Sequence, residues 1–199
     1  MEPIITGKKY DKIANIWHRD LDESEYGLKQ IKRAIEFCPA EGKKALDVGC
    51  GCGGRVIRLL EGSGFSVCGF DVSEKMVEIA RTNHPLCDFK VADATTLEIE
   101  ENYDLIIAWD SIFHLPLDQH FPVIQKLSSK LNTNGVLLYT FGDAQGEHTD
   151  TWHNDEFYYS SMGINRNLML LMECGLKIVH LVLDQLPNNH VTVMAKRTP

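Results

Sequence analysis

Four aspartates punctuate the chain at or near the ends of short apolar runs: Asp47, Asp71, Asp93 and Asp110. Between the first two, residues 45–55 read A-L-D-V-G-C-G-C-G-G-R. A β-rich run that enters a glycine turn and leaves as the amphipathic segment 56–60 has the grammar of strand, tight turn and helix. The free N–H groups and the positive dipole end of such a helix face the turn and favour an anion there, a carboxylate or a phosphate. An acid closing the following strand, Asp71, can accept both hydroxyls of a ribose. Asp47 points to different chemistry. A carboxylate two residues before the first glycine would repel a pyrophosphate and suits a cation such as an ammonium or a sulfonium. His114 has a side chain that titrates near neutrality and can serve as a general base or shape its loop by hydrogen bonding.

Two ligand classes fit this corner. Gly49-x-Gly51-x-x-Gly54 with Asp71 about 20 residues on meets the dinucleotide spacing. The stretch L-D-V-G-C-G-C-G-G, however, resembles the first motif of class I S-adenosylmethionine (SAM)-dependent methyltransferases. The Y-D-L-I-I run at 103–107, followed by a loop ending in His114-Leu115, resembles a later motif of the same family, without the D/N-P-P-Y/F signature of adenine- and glutamine-methylating members. The resemblance covers residues 10–197. It implies a three-layer αβα sandwich with a seven-stranded, mostly parallel sheet whose last strand is reversed. It also implies methyl transfer from SAM to a small-molecule acceptor, leaving S-adenosylhomocysteine (SAH).

By that resemblance Asp47 positions the cofactor's ammonium, and Gly49, Cys50, Gly51 and Gly53 line its methionyl part. Asp71 holds the ribose, Val72 and Met76 face the adenine, and Asp93 with the N–H of Ala94 reads the adenine edge. Trp109 and Asp110 touch the cofactor, and Tyr10, from a Y-D-x-x-A stretch similar to the family's helical cap, closes over it. Trp17 belongs to the core or to the pocket. The acceptor is expected among Trp17, His114, Trp152, His153 and Tyr158. An NAD-type oxidoreductase and a SAM-binding protein without turnover are the alternatives.

The elements that must carry these residues follow from periodicity. Residues 7–37 read as two helical stretches forming an N-terminal cap over 1–40, the second capped by Ser24 and ended by Pro39 and Gly42. Strands are expected at 45–48, 65–71, 89–94, 103–110 and 136–141, with helices at 72–81 (capped by Ser73) and 121–131. Alternation of this kind makes a parallel sheet with helices on both faces. Residues 142–163 break the pattern as a long polar loop rich in aromatics, a substrate-side insertion on the cofactor rim. Strands at 176–183 and 190–196 are joined too closely for a crossover and must run antiparallel.

With 199 residues, 44% hydrophobic and 24% charged, a single domain is expected over 1–199. A net charge of −8 argues against a nucleic-acid groove. No apolar run approaches a membrane span, and the polar start is not that of a signal peptide. The six cysteines show no disulfide framework and suit a reducing cytoplasm. Cys50-x-Cys52 is one residue short of a metal-binding pair, and His148, His153 and Asp155 read as polar pocket or surface groups, so no metal is expected. Composition leaves the oligomeric state open.

Overall fold

In the computed structural model, which describes residues 1–41, 43–185 and 189–199, the apolar run at 103–108 forms the middle of the sheet. It is β4 (Tyr103–Ala108), buried at every position. It pairs in parallel with β1 (Lys44–Val48) on one side and β5 (Leu131–Gly142) on the other. Outward from β1 lie β2 (Ser66–Asp71) and β3 (Asp88–Val91), both parallel. Beyond β5 come two further strands of this sheet, Leu176–Asp184 and His190–Arg197. With the two-stranded hairpin Gln145–Trp152 and Asp155–Met162 numbered β6 and β7, they are β8 and β9. The seven-stranded order is β3-β2-β1-β4-β5-β9-β8, and β9 runs antiparallel to both its neighbours. The late strand therefore inserts between β5 and β8 and alone is reversed.

Alternation along the strands sorts the core into two layers. Ala45, Leu105, Ile107 and Leu138 face α2 (Leu28–Phe37), α3 (Gly54–Gly62) and α4 (Glu74–Asn83). Leu46, Ile106, Leu137 and Tyr139 face α5 (His120–Ser129) and α6 (Gly163–Glu173). Pro122 sits in the first turn of α5, where its missing N–H costs nothing. Gly175 ends α6 at a φ of 74°.

α1 (Pro3–Leu21) departs from both layers and crosses the rim where the parallel strands end, packing on α3, α4 and β7. Its approach is close: a Cβ on Gly7 would lie 2.5 Å from the carbonyl oxygen of Val72. Asp11 accepts the Ser73 hydroxyl at 2.6 Å and the Lys75 N–H at 3.0 Å, so α1 supplies part of the N-terminal cap of α4. Ser73 caps the same helix through the Met76 N–H, as expected.

Three expectations need correction. Ser24 accepts the N–H of Tyr26, within the turn before α2, whose N-cap is Gly27; Gly42 lies outside the described residues. The third strand stops at Val91 rather than Ala94, because it is a sheet edge with one neighbour. The 142–163 segment is the β6–β7 hairpin, turned by His153 and Asn154, both at positive φ (49° and 65°). Part of the β8–β9 connection, residues 186–188, lies outside the described residues.

Candidate functional site

β1 delivers the glycine turn to the centre of this rim. Gly49 has a φ of 74°, and a Cβ on it would come within 2.4 Å of the Cβ of Ser111, so only glycine fits where the β1 and β4 loops meet. A single cavity opens there, roofed by α1 and lined by Gly49, Cys50, Gly51 and Gly53 of the turn. Asp47, Asp71, Val72, Met76, Ala94, Trp109 and Asp110 share its wall, as do Tyr10, Trp17 and His114. Most residues expected at a cofactor, scattered over a hundred positions, thus meet around one space.

The polar groups divide by role. Asp71 accepts the Gly51 N–H on one oxygen and the Ser73 N–H on the other, both at 2.9 Å. One lone pair per oxygen remains for a ligand. Burial raises its pKa, and the backbone donors oppose the shift. Asp47 is 3% exposed and has neither a hydrogen bond nor an ion pair among the described residues. Desolvation and the neighbouring Asp71 push its pKa up to about 7. A buried carboxylate that lacks a donor is a site waiting for a cation, so the pocket fits an ammonium-bearing, ribose-bearing ligand.

His114 is fixed in one tautomer. Its Nδ1 lies 2.9 Å from the Tyr158 carbonyl oxygen, which can only accept, so Nδ1 carries the hydrogen. Its Nε2 therefore accepts from the Tyr10 hydroxyl, 2.9 Å away. Burial lowers the His114 pKa to about 4 and drives that of Tyr10 far up, so both are neutral at pH 7.

Other placements differ from expectation. Asp93 turns its Oδ1 to the N–H and hydroxyl of Thr95, both at 2.8 Å, and the cavity meets Ala92 and Ala94 instead. His153 stands exposed at the hairpin tip, against Trp152. The Tyr158 hydroxyl bonds Glu147 on the outer side of the hairpin, and only its carbonyl serves the site. Trp152 packs edge-on against Trp17 and near Tyr10, with ring centroids 5.6 and 6.4 Å apart, bracing the roof rather than lining the cavity.

Sequence reasoning missed four contributors. Thr6 lines the cavity with a buried hydroxyl that lacks a partner among the described residues. Arg55, directly after the turn, also lines it. Tyr26 and His190 both hold Asp110: the Tyr26 hydroxyl donates to Oδ2 at 2.7 Å, and His190 Nε2 meets Oδ1 at 2.9 Å. The G-G-R run was a signal for Arg55; Thr6, Tyr26 and His190 carried none.

Known proteins resemble the chain in sequence and in fold. A family model described as a methyltransferase domain matches residues 45–135, from β1 into the first part of β5. The chain is 30% identical over 168 residues to phosphoethanolamine N-methyltransferase of Plasmodium falciparum, covering 78% of this chain and 62% of the relative. Among solved structures, magnesium protoporphyrin IX methyltransferase of Synechocystis PCC 6803 with bound SAM superposes with a TM-score of 0.75 at 18% identity, over 100% of this chain and 98% of that one. The chain has the fold of the class I SAM-dependent methyltransferases. Trans-aconitate 2-methyltransferase of Rhizobium rhizogenes, 34% identical over 101 residues, covers half of this chain and 39% of its own length. The chain thus spans less than two thirds of these curated relatives. The reversed β9 is the feature of the sheet that separates this fold from the dinucleotide-binding alternative.

Proposed function

We propose that the chain moves the methyl group of SAM to a small-molecule acceptor by in-line displacement at the methyl carbon. The observation that carries this reading is the single cavity in which an unpaired, buried Asp47, the doubly anchored Asp71 and the Tyr10–His114 pair face one another. Asp47 and the turn at Gly49, Gly51 and Gly53 would hold the methionyl part, Asp71 the ribose, and Val72, Met76 and Ala94 the adenine. A sulfonium is already a strong leaving group, so the protein's task is alignment and removal of one proton. His114 cannot reach an acceptor through a nitrogen that already accepts from Tyr10. The acceptor's proton would instead pass to the Tyr10 oxygen as the Tyr10 proton passes to His114 Nε2.

The relatives' acceptors, phosphoethanolamine and trans-aconitate by their names, are both anions at neutral pH. Four aspartates line this cavity, namely Asp22, Asp47, Asp71 and Asp110, against Arg55 and His18. That balance supports a neutral or cationic acceptor, an amine or a phenol, and disfavours nucleic acid. Six free thiols support a cytoplasmic setting; no helix among the described residues is long and apolar enough to cross a membrane.

Calorimetric titration with SAM, SAH and NAD in parallel tests the cofactor. Binding of both adenosyl ligands, abolished by Asp71→Ala, supports the reading, and a panel of amines and phenols assayed for SAH release then seeks the acceptor. Binding of NAD alone overturns it. Tight SAM binding with no SAH release from any acceptor favours a SAM-binding protein without turnover.

A further inference from the structure

At the end of the cavity marked by Trp109, the walls offer donors. Arg55 gives its Nε to the Tyr26 carbonyl oxygen at 2.7 Å and holds its guanidinium 5.3 Å from the centre of the Tyr26 ring. Among the described residues no carboxylate lies within 4.0 Å of it. Trp109 is 7% exposed, and its indole N–H has no partner among the described residues. A guanidinium with no carboxylate partner and a buried indole N–H with no acceptor, on one cavity wall, match a ligand carboxylate.

Asp110 is the carboxylate that ought to fill that role, being near enough for its charge to act on Arg55. It is committed elsewhere. Its Oδ1 meets His190 Nε2 at 2.9 Å and the Thr140 hydroxyl at 3.0 Å, and its Oδ2 takes the Tyr26 hydroxyl at 2.7 Å. The other nitrogen of His190 faces Asp184 Oδ1 at 2.5 Å. Asp184 Oδ2 is in turn held by Gln30 of α2, and more weakly by Thr192 of β9 at 3.5 Å. Both ring nitrogens of His190 thus face carboxylate oxygens, and only an imidazolium can donate to both. The charged and titratable groups around His190 are Asp110 after β4, Asp184 of β8, Tyr26 before α2 and, beyond Tyr26, Arg55 of α3. The Trp109 ring covers it at 5.5 Å. The two carboxylates hold its pKa above the ordinary histidine value against the burial that lowers it, and against the same burial the donors His190, Tyr26 and Thr140 hold the Asp110 carboxyl below its ordinary value.

We propose that His190 is a positioning residue: gripped between Asp184 and Asp110, it holds Asp110 off Arg55 and so leaves the guanidinium to receive the carboxylate of the cofactor's amino-acid part. The inference rests on the methyltransferase reading and adds to it a residue of β9, outside the span that the family model matches. Removing the imidazolium frees Asp110 to pair with Arg55, which quenches the donor from within.

The test compares SAH with 5′-methylthioadenosine, which keeps the adenosine and the sulfur but lacks the amino-acid part. Arg55→Gln and His190→Asn should each weaken SAH binding about tenfold or more while leaving methylthioadenosine unchanged. Unchanged methylthioadenosine binding also reports that each variant has folded. The double variant should bind SAH no more weakly than Arg55→Gln alone, because both act on one donor. Wild-type SAH affinity should fall on the alkaline side as His190 loses its proton, and His190→Asn should lack that fall. SAH binding untouched by Arg55→Gln, equal loss of both ligands in His190→Asn, or additive losses in the double variant each overturn the proposal. Wild-type protein that binds neither ligand removes the methyltransferase reading itself.

Discussion

Asp47 and Asp110 stand on adjacent strand ends, yet their surroundings push them apart. Asp110 has three donors and stays ionised, whereas Asp47 has none and titrates near 7. Its folded-state pKa lies above the unfolded value, so the ligand-free protein holds an extra proton between the two and loses stability as pH rises through 7. A cationic ligand needs the ionised form. SAM affinity should therefore weaken about tenfold per pH unit as pH falls below about 7, and Asp47→Asn should flatten that dependence; calorimetry at pH 5.5, 6.5 and 8 reads both. His114 gives the opposite signature. With a pKa near 4 it stays a free base throughout that range, so Tyr10→Phe should lower turnover about 10²- to 10⁴-fold at little cost in SAM affinity. Single-turnover kinetics separates the two. The acids at strand ends were legible because a strand that stops at a carboxylate beside a glycine turn leaves few other roles. His190 was not legible, because 80 positions separate it from Asp110 and only the insertion of β9 joins them.

Among the elements, α1 and the β6–β7 hairpin form the roof together. Tyr10 contacts Trp152 and Phe157 across that junction and Trp17 meets Trp152, Lys12 pairs with Asp155 at 2.8 Å, and His114 fastens the hairpin through the Tyr158 carbonyl. A second fastening runs from buried His120 to Ser160, whose hydroxyl donates to the Leu115 carbonyl at 2.6 Å. Ser160→Ala leaves two buried groups unsatisfied and should destabilise the protein by about 1–3 kcal/mol, read from the denaturation midpoint. Gly7→Val drives a branched side chain into the Val72 carbonyl. It should lift α1 and cost SAH affinity about tenfold or more while cooperative unfolding persists; calorimetry and a thermal melt check the two halves. The hairpin was hidden in the sequence because its polar outer strand and aromatic inner strand read together as a mixed loop. Positive φ at His153 and Asn154 makes the turn, which neither residue type announces as an Asn-Gly pair would.

Taken as a whole, the sheet order brings every parallel strand's C-terminal end to one rim, and the chain's negative charge is carried into the cavity there. An acceptor bearing a positive charge is drawn in by that field and a polycarboxylate is repelled. Methyl transfer to a cationic amine should therefore slow in kcat/KM as ionic strength rises, measured by SAH release between low and physiological salt. The doubly wound sheet and its closing antiparallel pair were readable from alternation and from one short connection. The crossing of α1 over the rim was not, since an amphipathic helix shows that it has a buried face without showing what it buries against.

The position of β9 also bears on the history of each molecule. It is made after the other strands among the described residues yet lies inside the sheet, between β5 and β8. As the chain is synthesised, the glycine turn, Asp71 and Asp110 all emerge long before the strand that supplies His190. A nascent chain can therefore fold five strands and still present an open β5 edge and an untethered Asp110. Affinity for the cofactor should rise late, when β9 slides into the gap between β5 and β8.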